Sequence, residues 1–104
     1  MLNYPPFCDI IQISFTGEKL EKIKNISEYV YKKLKSVNIE NLKVYKPVPA
    51  PIDRIKNKYR WRIIVKCKLN STILDLLKFA TNDEKIQKEK ETRIIVDINP
   101  NTMN

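Results

Sequence analysis

The sequence predicts an α+β fold, a ferredoxin-like split βαβ of order β-α-β-β-α-β, from three observations. Apolar residues recur at three- and four-residue steps in two stretches, which is helix period. They alternate at two-residue steps in several others, which is strand period. The two periods interleave so that strand, helix and strand follow one another twice. Two such halves fold most simply into a four-stranded antiparallel sheet with two helices on one face. The first and third strands are then the central pair, and a long proline-rich arm joins strands two and three.

Tyr4-Pro5-Pro6-Phe7 is an extended lead-in whose aromatics pin the start of the domain. Asp9–Phe15 is the first strand, with Ile11, Ile13 and Phe15 on one face and Ile10, Gln12 and Ser14 on the other. Thr16-Gly17 turns the chain at its only glycine. Lys19–Val37 is the clearest helix, because Leu20, Ile23, Ile26, Val30, Leu34 and Val37 make one stripe and lysines and glutamates stand outside it. Leu42–Lys46 is a short second strand. Tyr59–Leu69 is the third, with Tyr59, Trp61, Ile63, Val65, Cys67 and Leu69 facing the helices and Arg60, Arg62, Ile64, Lys66 and Lys68 facing the uncovered side. Asn70-Ser71 caps a second helix over Thr72–Ala80, whose stripe is Ile73, Leu76, Leu77 and Ala80. The polar stretch from Thr81 to Glu91 reads as a fraying helix end or a loop. Thr92–Ile98 is the last strand, stopped by Asn99-Pro100.

Between strands two and three, Pro47, Pro49 and Pro51 stand at alternate positions, followed by Arg54, Lys56, Lys58, Arg60 and Arg62 with Tyr59 and Trp61 interleaved. Each proline fixes φ and lacks an N–H, and each preceding residue is pushed out of the helical region. The segment is therefore neither a helix nor a central strand but an extended, polyproline-like arm. Charge concentrates here. Residues 1–42 carry +1, residues 43–68 carry +8 and residues 69–104 carry −1. Three of the four arginines (Arg54, Arg60, Arg62) lie in the same stretch of a chain that elsewhere uses lysine. The planar guanidinium suits bidentate contact with phosphate or carboxylate, and stacking. A block of cations with interleaved aromatics points to a polyanion or an acidic partner.

Several functions are excluded. The chain has no histidine, so no histidine general base or Ser-His-Asp triad can be written. One glycine admits neither a phosphate-cradling loop nor a dinucleotide fingerprint. Cys8 and Cys67 are isolated and read as reduced thiols rather than a zinc site or disulfide. No apolar run spans a membrane and no signal pattern opens the chain. Asp97 is a carboxylate inside a strand, expected to pair with a neighbouring arginine.

The segment from Pro47 to Arg62, reading PVPAPIDRIKNKYRWR, resembles the proline-alanine-proline and Tyr-Arg-Trp segment of the C-terminal domain of primosomal protein N′, the PriA replication-restart DNA helicases. Tyr4-Pro-Pro-Phe7 and Val96-Asp-Ile-Asn-Pro100 match the same domain at its two ends. The resemblance covers nearly the whole chain and implies that residues 1–104 are a single domain, the C-terminal module of a larger helicase. It agrees with the ferredoxin-like plan. It implies no catalysis in this fragment, with ATP and zinc expected only in other parts of an ATP-dependent 3′-5′ helicase. The expected partners are forked or single-stranded DNA, the helicase core of the same chain, and single-strand-binding protein and other primosome proteins. No membrane is expected, and the location implied is the bacterial cytoplasm, associated with the nucleoid.

The function expected is thus a non-catalytic DNA-binding module acting at stalled forks. Arg54, Lys56, Lys58, Arg60 and Arg62 would neutralise phosphates, Lys66 and Lys68 would extend the track, and Tyr45 would stack on a base. Pro47, Pro49 and Pro51 would hold the arm rigid. Tyr59 and Trp61 share the phase of Ile63, which favours a structural role. Two other readings are a protein-docking module that contacts the helicase core or single-strand-binding protein, and a ribosomal-type RNA-binding domain.

Overall fold

A computed structural model of the chain describes residues 9–99 apart from 38, 40, 41, 56, 57, 83 and 89, with residues 51–55, 85 and 87 described through their backbone. The Tyr4–Phe7 lead-in, Cys8, Lys56 and Pro100 lie outside the described residues, as do the side chains of Pro51 and Arg54. The elements are β1 (Asp9–Gly17), α1 (Leu20–Lys35), β2 (Lys43–Val44), β3 (Val48–Ile55), β4 (Lys58–Cys67), α2 (Ser71–Thr81), α3 (Glu84–Lys88) and β5 (Thr92–Ile98). Among the described residues, no helix is long and apolar enough to cross a membrane.

The sheet is antiparallel and runs β2-β4-β1-β5, so the first and third strands of the sequence reading, β1 and β4, are the central pair. The outer edge of β4 is shared by two strands in succession. β2 pairs with it at Val65 and Lys66, and β3 pairs with it from Arg62 to Lys58. Among the described residues, four strand positions therefore hold five strands.

The helices cover one face. Ile23, Ile26, Val30 and Leu34 of α1 and Ile73, Leu76, Leu77 and Ala80 of α2 are buried against Ile11, Ile13 and Phe15 of β1 and Ile63, Val65 and Cys67 of β4. Burying such side chains supplies about 1.5–3 kcal/mol each, which is what holds two amphipathic helices to the sheet. Helix α2 begins where the sequence places a cap: Asn70 Oδ1 accepts from the Ile73 N–H at 3.0 Å. The Thr81–Glu91 stretch contains a helix that composition hides. In α3 the apolar Ile86 is buried into the core among charged neighbours. Tyr59 and Trp61 pack on the edge of the core, as their strand phase requires.

The proline arm is a strand. Tyr45 N–H donates to Ile64 C=O at 2.9 Å, so the backbone groups of Ile64, and by alternation those of Arg62, point towards the β2/β3 edge. Arg62 is paired with Val48, and Trp61 with Pro49. The Val48–Arg62 pair is therefore the hydrogen-bonded one, and Pro49 falls where no N–H is called for. Prolines two residues apart withdraw donors from only one side of a strand, and here that side faces outward. Between the Pro49–Trp61 and Arg54–Tyr59 pairs the register breaks, with residues 50–53 of β3 set against Arg60 alone. This wide bulge lets a proline-rich strand follow β4 with only partial pairing.

Candidate nucleic-acid interface

The face of the sheet opposite the helices carries the basic residues. Directly paired residues of antiparallel strands share a face, so the register defines rows across it. Arg93 of β5, Thr16 of β1 and Arg60 of β4 form the first row. Ile95, Ser14, Arg62 and Val48 form the second, and Asp97, Gln12 and Ile64 the third. Ile10, Lys66 and Lys43 form the last. The described residues of this face thus bring Arg93, Arg60, Arg62, Lys66 and Lys43 together against one carboxylate, Asp97.

A polar relay runs beneath the cations. Arg62 Nη1 donates to Gln12 Oε1 at 3.3 Å, and Gln12 Nε2 donates to Ser14 Oγ at 3.3 Å. Gln12 and Ser14 are 2% and 4% exposed although no helix covers them. The relay positions the Arg62 guanidinium without neutralising it. Its partner is an amide, and its buried Nε has no partner among the described residues. Asp97, expected in an ion pair with an arginine, is exposed and has none among the described residues.

The other predicted residues fall around this centre. Lys66 is half-buried, with its Nζ 5.7 Å from the ring centroid of Tyr45, which is 40% exposed at the end of β2. A cation over an aromatic face at that distance stabilises both in place. Lys58 is exposed at the start of β4, Lys68 just beyond its end. Arg60 is half-buried and has partners of its own. Pro47 is half-buried beside Trp61 and Tyr31, and Pro49 is exposed on the outer strand. Arg54 pairs through its backbone with Tyr59.

Arg93 is not among the residues that the sequence singles out. Its signal is its phase: it alternates with Ile94, Val96 and Ile98 and so belongs with Arg60, once β5 is known to lie beside β1.

Fold and site together define a ferredoxin-like α+β module with a cationic open sheet. The fold is shared with designed proteins: De novo designed protein Foldit4 superposes with a TM-score of 0.67 at 12% identity, covering 91% of this chain and 99% of that one. A designed protein described as having the ferredoxin fold, LFR1 1, gives 0.58 at 13% identity, covering 89% and 85%. The family is shown by sequence, since residues 1–101 match the family model for the primosomal protein N C-terminal domain, and the chain belongs to that family. Similar proteins include Replication restart protein PriA of Bacillus subtilis (strain 168), 28% identical over 97% of this chain, and that of Haemophilus influenzae, 23% identical over 95%. The PriA of Synechocystis is 29% identical over 64%. This chain spans 13% of the length of the Bacillus and Haemophilus proteins.

Proposed function

We propose that the chain is a non-catalytic module of a replication-restart helicase, and that it holds branched or single-stranded DNA through the open face of its sheet. Arg60, Arg62 and Lys66 neutralise phosphates, Lys58 and Lys68 flank them, and Tyr45 offers a ring beside Lys66. Arg54 and Lys56 extend the contact. The observation that carries the reading is the Arg62 guanidinium, held by Gln12 on a face whose described cations outnumber its one carboxylate. A guanidinium oriented by an amide keeps its charge for an outside anion. Among the described residues no helix lies on this face, so the contacts are to backbone and exposed bases, and binding follows DNA structure rather than sequence.

The test is fluorescence anisotropy with forked and single-stranded DNA across a salt series. Binding should weaken steeply with salt, because each phosphate neutralised releases counterion. Arg60→Ala with Arg62→Ala should abolish most of it while the melting curve stays cooperative. A folded chain that ignores DNA at every salt concentration would replace this reading with a second one, docking on the helicase core. The observation favouring that alternative is the set of exposed apolar residues Ile95, Val96 and Ile98 on the β5 edge.

A further inference from the structure

At the end of the sheet where β1 finishes and β4 and β5 begin, the open face runs into a cleft of about 680 Å³. Among the described residues, four cations line it: Lys19 from the β1–α1 connection, Lys58 from β4, Lys90 just before β5 and Arg93 at its start. Its carboxylates among the described residues are Glu18 and Glu91. Glu91 is already engaged. It pairs with Lys22, and Lys19 lies 3.6 Å from its other oxygen. Lys58, Lys90 and Arg93 have no ion-pair partner among the described residues.

One further feature suits an anion. Lys19 is the N-cap of α1 and makes no side-chain cap, so the positive end of a 16-residue helix opens at the rim. Thr16 and Arg93 belong to both the cleft and the first row of the open face. The cleft is therefore the continuation of that face rather than a separate hollow.

We propose that this cleft is a phosphate-binding site, held by Lys58, Lys90 and Arg93, and that it takes a backbone phosphate of the strand lying on the open face. Only the source of the phosphate rests on the nucleic-acid reading above; the anion site stands on the cleft itself. A strand leaving Arg62 along the sheet meets Arg60, then Arg93, then the cleft, so the track turns over the end of the sheet instead of stopping there.

The test is an amide chemical-shift titration of the isotope-labelled chain with oligothymidylate and, separately, with inorganic tripolyphosphate. Both should shift Gly17, Thr92 and Arg93, and the shifts should vanish in a Lys90→Ala, Arg93→Ala double variant that retains the wild-type melting temperature. The same variant should reduce the slope of log affinity against log salt by about 0.7 for each single-strand phosphate it leaves without a cation. Arg93→Lys should restore part of the affinity. If oligothymidylate moves Ser14, Arg62 and Ile64 but leaves the cleft amides still, the phosphate site is wrong and the open-face reading stands. If tripolyphosphate fills the cleft while oligothymidylate moves nothing, the site stands and the DNA reading fails. If neither moves the cleft, the proposal is overturned.

Discussion

Asn99 closes the described fold with a left-handed torsion, φ 49°, and hydrogen bonds from both its backbone and its side chain. Its N–H donates to Ile10 C=O at 2.6 Å and its Oδ1 accepts from Ile10 N–H at 2.8 Å. Its Nδ2 donates to Asp9 Oδ1 at 3.0 Å, while Asp9 Oδ2 accepts from Leu69 N–H at 2.9 Å. Two side chains thus tie the start of β1 to the ends of β5 and β4. Asn99→Ala loses the side-chain bonds and leaves the left-handed torsion to a residue that adopts it less readily than Asn or Gly, a cost of about 2 kcal/mol. Asn99→Gly keeps the torsion and should cost about half as much, so melting temperatures should fall in the order Asn, Gly, Ala. Equal values for Gly and Ala would remove the torsional argument. The Asn99 hydrogen bond, then the Leu69 N–H and the nearby Lys68 charge, hold Asp9 below its ordinary value of 3.8, against the opposing effect of burial. A carboxylate depressed in the folded state stabilises the fold above its unfolded pKa and loses that contribution as pH falls through the folded one. Glu91 is lowered in the same direction, first by the Lys22 hydrogen bond and then by Lys19. Stability should therefore decline on acidification below about pH 4, and Asp9→Asn should flatten part of that decline in an acid titration followed by circular dichroism. Gly17 has a different reason to be glycine. Its φ is not positive, but a β-carbon there would stand 2.7 Å from the Glu91 carbonyl oxygen. That atom is backbone and cannot swing aside, so Gly17→Ala should cost about 1–3 kcal/mol by overpacking.

Elements differ in how openly the sequence declares them. Helix α1 and helix α2 follow from periodicity because each buries one regular stripe, and the Asn70 cap marks where α2 starts. Strand β5 follows from its alternation, with Ile94 packed against the core and Val96 and Ile98 exposed. The sequence ends β1 too early: Gly17 looks like a turn but is the last residue of the strand, where a β-carbon would meet the Glu91 backbone. Helix α3 is hidden because a single buried Ile86 makes no period. The arm shows the opposite failure: the prolines rightly exclude a central strand, yet an edge strand needs donors on one side only. This is testable by moving the proline. Pro49→Ala adds an N–H on the outer side and should change stability by less than about 1 kcal/mol. Val48→Pro removes the donor that faces Arg62 and should cost about 3 kcal/mol or more. Amide hydrogen exchange at Arg62 reads the difference, with protection retained in the first variant and lost in the second. Protection retained in both would mean that β3 does not pair as the register indicates. The site is legible in the same uneven way. Arg60, Arg62 and Lys66 follow from alternation along one strand, whereas Arg93 joins them only through a pairing between strands far apart in sequence.

Over the whole molecule the decisive quantity is a charge of +8 contained in residues 43–68, while the rest of the chain is balanced. Folding brings Lys43, Arg60, Arg62 and Lys66 of that block onto one face of a sheet, where in the unfolded chain they are spread along a flexible segment. Self-repulsion of this kind destabilises the compact state, and salt screens it over about 8–10 Å near physiological ionic strength. The ion pairs that salt would weaken, Lys19 and Lys22 with Glu91 and Lys88 with Glu84, are exposed and contribute little. Screening should therefore stabilise the free protein, and relief of about 1 kcal/mol corresponds to a rise in melting temperature of about 4–8 °C for a domain of this size. A polyanion that binds the face does the same more effectively, since a ligand at about a hundred times its dissociation constant adds about 2.7 kcal/mol. The two effects compete. At low salt, DNA should raise the melting temperature more than salt does, and at high salt its contribution should disappear because the counterions it displaces are no longer favourable to release. A thermal melt on a grid of salt and DNA concentrations measures both. A melting temperature that falls as salt is added would show that the exposed pairs outweigh the basic block, and the charge would then belong to a contact already satisfied within the fold.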